Sequence, residues 1–197
     1  MELIVVGLVA GLSFLSYALW KRSRTEALSQ ALAEERATAL LGSSEANLQA
    51  LRPGDVVTHM TTDYIVEGSI ALDEDGRVTR LYRLADGGKV RWLGVRPGDG
   101  EPLVFDQIPD AGLVGNAQEL VTFAGEPYRL AARASTRVKR AGAIGGVASD
   151  KHGERAWLLD YAGVGIKRVW ALAWSEHTEI FAGEPVHRGM IDVLPAA

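Results

Sequence analysis

Three rhythms of apolar and polar positions divide this chain. The first is an unbroken apolar run, Leu3 to Trp20 (LIVVGLVAGLSFLSYALW), followed at once by Lys21, Arg22 and Arg24. At ~1.5 Å per helical residue the run reaches about 27 Å, close to the hydrocarbon thickness of a bilayer, and it predicts a transmembrane helix. The second rhythm is helical but only partly apolar. Thr25 caps a predicted helix to Leu41, with Leu28, Ala31, Leu32, Ala39 and Leu40 as an incomplete stripe and Gly42 as its stop. Ser43-Ser44 then precedes a short predicted helix, Glu45 to Leu51, ended by Arg52-Pro53-Gly54-Asp55.

The third rhythm has period two and starts at Val56. Tyr64, Val66, Gly68, Ile70 and Leu72 alternate with polar residues, which is strand spacing. Asp73-Glu74-Asp75-Gly76, Asp86-Gly87-Gly88 and Pro97-Gly98-Asp99-Gly100 are turns, with strands Val78–Leu84 and Lys89–Val95 between them. The stretch 106–116, rich in Pro, Gly and Asp, reads as an irregular connection. Further strands are expected near 119–123, 128–140, 155–161, 166–174, 178–182 and 189–193. In the 166–174 segment both faces are apolar, which fits a strand buried on both sides or an amphipathic helix. Phe123-Ala124-Gly125-Glu126-Pro127 recurs as Phe181-Ala182-Gly183-Glu184-Pro185, read as two equivalent hairpin turns. The fold expected is mainly β: an antiparallel meander forming a sandwich or partly open barrel, open to descent from a duplicated half-domain, behind a transmembrane helix and a short helical stalk. The domains expected are 1–24 (anchor), 25–50 (juxtamembrane) and 51–197 (β-rich).

Charge orients the anchor. Only Met1 and Glu2 precede the run and the basic residues follow it, so the positive-inside rule places the C-terminal bulk in the cytoplasm and the N-terminus outside. Trp20 sits where an interfacial aromatic anchors, with Lys21, Arg22 and Arg24 as the membrane flank. A cleaved signal peptide is the rival, but its basic n-region is missing; a buried core helix is a second. This implies a single-pass protein of a bacterial inner membrane. Beyond the anchor and stalk about 150 residues remain, enough for one domain with its own core. A net charge of −4 argues against a nucleic-acid binder. The absence of cysteine excludes disulfides, Cys-ligated zinc, iron–sulfur clusters and thiol nucleophiles.

Leu51-Arg52-Pro53-Gly54-Asp55-Val56-Val57, then Asp63 to Gly68, Tyr82-Arg83-Leu84 and Arg91-Trp92-Leu93 resemble, in order and spacing, the bacterial domain-of-unknown-function family DUF4178. The resemblance covers 51–95 well and implies a compact β-rich module, sometimes membrane-anchored, with no established catalytic residues. Read physically, Gly54 turns the chain into the first strand, and Tyr64, Val66, Tyr82, Leu84, Trp92 and Leu93 fill one core; an aromatic ligand cleft is the alternative.

Candidate chemistry is sparse. His59, His152, His177 and His187 show no zinc spacing, Asp73–Gly76 lacks the ligands of a calcium loop, and Gly163-Val164-Gly165 lacks the third glycine of a dinucleotide fingerprint. No catalytic, cofactor or metal residues are expected. The pointed feature is the predicted strand 128–140. Arg129, Arg133, Arg137 and Lys139 are read on one face, as a contact for anionic lipid or an acidic partner, against an ordinary solvated face with ion pairs. The function expected is a non-enzymatic, membrane-anchored adaptor or assembly module. It contacts lipid through 3–20 and a protein partner or a second copy of itself, with no nucleic acid. A membrane-tethered sensor of a small molecule or lipid headgroup is the alternative, and an enzyme of unseen mechanism the third.

Overall fold

The computed structural model describes residues 48–98, 100–108, 118–145 and 153–196. The expected membrane helix, its flank Trp20, Lys21, Arg22 and Arg24, and the 25–41 helix lie outside the described residues. Among the described residues there are eleven strands: β1 Val56–His59, β2 Thr62–Glu74, β3 Arg77–Asp86, β4 Lys89–Val95, β5 Leu103–Ile108, β6 Leu120–Phe123, β7 Glu126–Gly142, β8 Arg155–Ala162, β9 Arg168–Ala173, β10 Thr178–Pro185 and β11 Ile191–Leu194. A 3-10 turn, Arg188–Met190, precedes β11. The spatial order is β11-β1-β2-β3-β4-β5-β10-β9-β8-β7-β6, and β2 also pairs with β7. Strands β2, β3, β4, β5, β10, β9, β8 and β7 therefore close into an eight-stranded antiparallel barrel.

Closure rests on two long strands that each serve two neighbours along one edge. β2 gives residues 62–65 to β1 and 68–73 to β7. β7 gives 126–129 to β6 and 137–142 to β2. The change of partner on β2 falls at a bulge, where its register with β3 jumps between Val66 and Gly68. Gly68 pairs with Gly142 there, and a Cβ on Gly68 would stand 2.7 Å from the Ala141 carbonyl oxygen. Gly142 adopts a φ of 71°, so the crossing requires glycine on both strands.

Burial on both faces of the wall gives three cores. The barrel interior is solid: Trp92 stands edge-on to Phe181 at 5.1 Å, and Phe105 lies against Trp170 at 4.9 Å, with Ile70, Leu72 and Leu172 around them. Outside β2–β5, the β1–β11 pair together with Leu48 and Leu51 covers Tyr64, Val66, Tyr82, Leu84 and Leu93. Outside β8–β10, the β6–β7 hairpin lays Val121, Phe123 and Tyr128 over Leu159, Tyr161, Val169 and Ile180. Asp55 fastens the two ends of this unit. Its Oδ2 accepts from Arg52 N–H at 2.7 Å and its Oδ1 from Ala196 N–H at 2.9 Å.

Several expectations are corrected. The barrel is closed, not partly open or a sandwich. Trp92 and Leu93, being adjacent on a strand, enter two different cores. Residues 103–108 form a strand despite their polar neighbours, because Leu103 and Phe105 point inward while Val104 points out. Leu48–Leu51 is a turn, not the end of a helix. The repeated pentapeptide is not two equivalent turns. Ala124-Gly125, at φ 49° and 80°, is a hairpin turn, whereas Phe181–Pro185 lies inside β10. There Gly183 is needed for close approach, since a Cβ would collide with the Val104 carbonyl.

Candidate functional site

Among the described residues, the β1–β11 pair and the β6–β7 hairpin leave one strip of the barrel exterior uncovered, where β8, β7, β2 and β3 run side by side. A bulge in β7 decides what it displays. The register with β8 jumps between Leu130 and Ala132, so residues before and after it exchange faces. Leu130 pairs with Tyr161 of the outer core, while Ala134 pairs with Leu158 of the interior. Arg133 and Arg137 consequently point outward, with Lys139 two residues further on the same face. Arg129 pairs with Ala162 on the opposite face, so the expected four-residue stripe is split.

The outward register of the strip brings in residues that sequence spacing could not. Arg137 stands directly opposite Arg155, and Ser135 opposite Trp157. On the other side of β7, Arg137 pairs with Asp73 and Lys139 with Ala71, which in turn faces Arg80 of β3. Lys139 Nζ donates to Asp73 Oδ2 at 3.0 Å. Arg155 Nη1 donates to Ser135 Oγ at 3.3 Å, and the Arg133 guanidinium lies 5.8 Å from the centre of the Trp157 ring. Trp157 is 48% exposed. A shallow groove of about 200 Å3 runs between Ser69, Ala71, Asp73, Arg80 and Lys139. Five cations, Arg80, Arg133, Arg137, Lys139 and Arg155, thus share this face with Asp73. The Asp73 carboxyl is held below the usual range by the Gly76 N–H, then by Lys139, with a smaller pull from Arg137.

A like-charged pair directly opposite on neighbouring strands opposes folding. Arg137 and Arg155 make such a pair, and Asp73 beside them already answers Lys139. The arrangement is suited to an anion brought from outside, and Trp157 offers it a flat apolar contact.

The histidines lie elsewhere. His59 and His187 both line a groove of about 410 Å3 with Arg91, Asp106 and Glu184. His59 is buried, its Nε2 has no partner, and burial followed by the charge of Arg91 pushes its pKa down. His187 Nδ1 accepts from the Gly189 N–H at 3.2 Å. His177 stacks on Trp174 at 6.3 Å, and His152 is outside the described residues. Among the described residues, no group of three His, Asp or Glu side chains is placed to hold a metal ion.

The family DUF4178, a domain of unknown function, matches residues 52–188. No curated protein and no solved structure matches the chain.

Proposed function

We propose that this chain, which belongs to the DUF4178 family, is a membrane-tethered, cytoplasm-facing adaptor without catalytic activity. Its bare barrel face docks an acidic, extended segment of a protein partner. The observation that carries this reading is the opposed Arg137–Arg155 pair beside exposed Trp157. Charge complementarity sets the class of partner. Arg133, Ser135, Arg137 and Lys139 project from one strand at two-residue intervals, about 7 Å apart. That is also the repeat of side chains on one face of an extended acidic segment. The apolar run 3–20, as a tether, keeps the face beside the bilayer and raises the effective concentration of partners held there.

The second reading is an anionic lipid surface, favoured by an exposed tryptophan among arginines. One experiment tests both. The full chain in neutral detergent is titrated with an extended glutamate-rich peptide, and reconstituted chain is assayed for added phosphatidylserine vesicles. The triple change Arg133→Gln, Arg137→Gln, Arg155→Gln is compared with wild type. The proposal expects peptide affinity to fall about 10- to 100-fold at low salt while the fold is kept. Peptide binding that is absent or unchanged overturns it, and a loss confined to vesicles assigns the face to lipid.

A further inference from the structure

We propose a second site, which adjoins the docking face at Arg133: the barrel mouth beside the β2–β3 turn takes a small organic acid that carries an O–H or N–H donor next to its anionic group. A cavity of about 230 Å3 opens there, with Glu74, Arg77, Arg96, Arg133 and Asp160 around it and Leu158 in its wall. That volume has room for on the order of ten non-hydrogen atoms. Mouths of β-barrels are common ligand sites because the wall supplies fixed side chains on every side.

Arg96 is held in place before any ligand arrives. Its guanidinium carbon lies 4.7 Å from the centre of the Trp170 ring, and its Nη2 is 2.9 Å from Asp160 Oδ2. Arg168 Nη1 approaches the same oxygen at 3.9 Å. Asp160 is 4% exposed, and its other oxygen, Oδ1, has no hydrogen-bond partner. A buried carboxylate oxygen left without a donor opposes folding, and a ligand donor relieves it. Among the described residues, Arg77 and Arg133 have no carboxylate partner. The mouth therefore offers Arg77, with Arg133 shared from the docking face, for an anionic group, and the buried unpartnered Asp160 Oδ1 for a donor; Glu74, directly opposite Arg77, adds a second acceptor at the rim. A simple carboxylic acid meets the first demand only. A hydroxy acid or amino acid meets both.

The test uses the full chain in neutral detergent, titrated calorimetrically with 2-hydroxyglutarate and with glutarate, which differ by one hydroxyl. Saturable binding is expected, with 2-hydroxyglutarate about 10-fold tighter. Arg77→Gln should weaken both about 10-fold, and Arg155→Gln, on the outer face, should leave both unchanged. Protection of Arg77 from phenylglyoxal by 2-hydroxyglutarate, read by mass spectrometry on the wild type, makes the test independent of any variant's folding. Absence of saturable binding, equal affinity for the two acids, or an unprotected Arg77 overturns the site. A loss in Arg155→Gln equal to that in Arg77→Gln also overturns it, by moving the acid to the docking face.

Discussion

Trp92→Ala removes the ring on which the closed barrel is packed. Trp92 is 1% exposed, stands edge-on to Phe181, and belongs to an interior with walls that close on themselves. Burying about 200 Å2 of indole at ~25 cal/mol/Å2 contributes about 5 kcal/mol. The edge-on pair adds about 1 kcal/mol. The indole Nε1 finds no acceptor, so its removal returns about 1 kcal/mol. A hydrogen-bonded wall collapses little into the space left behind, which keeps the loss near the upper part of the range for large-to-small aromatic changes. We expect a loss of about 4–5 kcal/mol. Urea unfolding should show a lower midpoint with an unchanged slope, and melting should fall by roughly 10–20 °C for a unit of this size. Trp92→Phe, which keeps a ring and deletes the lone donor, should cost less than half as much. A midpoint unchanged in Trp92→Ala would refute the packed-interior account and move Trp92 into a binding role.

Gly183→Ala places a methyl against the Val104 carbonyl and should destabilise by about 2–3 kcal/mol, visible as a lower urea midpoint. His59 has a lowered folded pKa, so below its unfolded value near 6.5 the unfolded chain binds the proton more readily. Stability should therefore be complete above about pH 6.5 and decline as pH falls below it; His59→Gln should flatten that part of the stability–pH curve. Burial raises the Tyr82 pKa to about 12 against an ordinary value of 10.0, so its contribution is complete below pH 10 and is lost as pH rises towards 12. Tyr82→Phe should reduce the alkaline loss, measured by unfolding between those limits. Lys139→Gln, which breaks an exposed pair with Asp73, should change stability by less than about 1 kcal/mol.

Most strands were legible because period-two alternation and Gly/Asp turns are local signals. β4 falls at the residues its pattern indicates, and the Asp75-Gly76 turn has the positive φ that its residues favour. β5 was not legible. Its Leu103-Val104-Phe105 run is short, and Asp106 and Gln107 follow it. It is a strand because β4 and β10 flank it, which is a tertiary fact. Closure was hidden for the same reason: the β2–β7 pairing joins residues about seventy positions apart, and its marks in sequence are two glycines among many. The candidate face was half legible. Arg133, Arg137 and Lys139 share a side by simple alternation. A bulge at Ala131 sends Arg129 to the other side, and no residue type there announces it. Arg155 and Trp157 join the face through cross-strand register alone. The family motif at Arg52–Asp55 acquires a physical reason only in three dimensions, where Asp55 ties Ala196, just past β11, to the start of the unit.

The most direct measurement of the central claim takes Arg155→Gln through two assays on the full chain: urea unfolding without partner, and titration with the glutamate-rich peptide. If the Arg137–Arg155 pair is kept for an external anion, the variant should be as stable as wild type or more stable by up to about 0.5 kcal/mol, because a like-charge contact is relieved. The same variant should bind the peptide about 10-fold more weakly at low salt, and the difference should shrink as salt is raised. A variant that loses more than about 1 kcal/mol of stability and binds the peptide as wild type does would contradict the account, and would make the pair part of the fold.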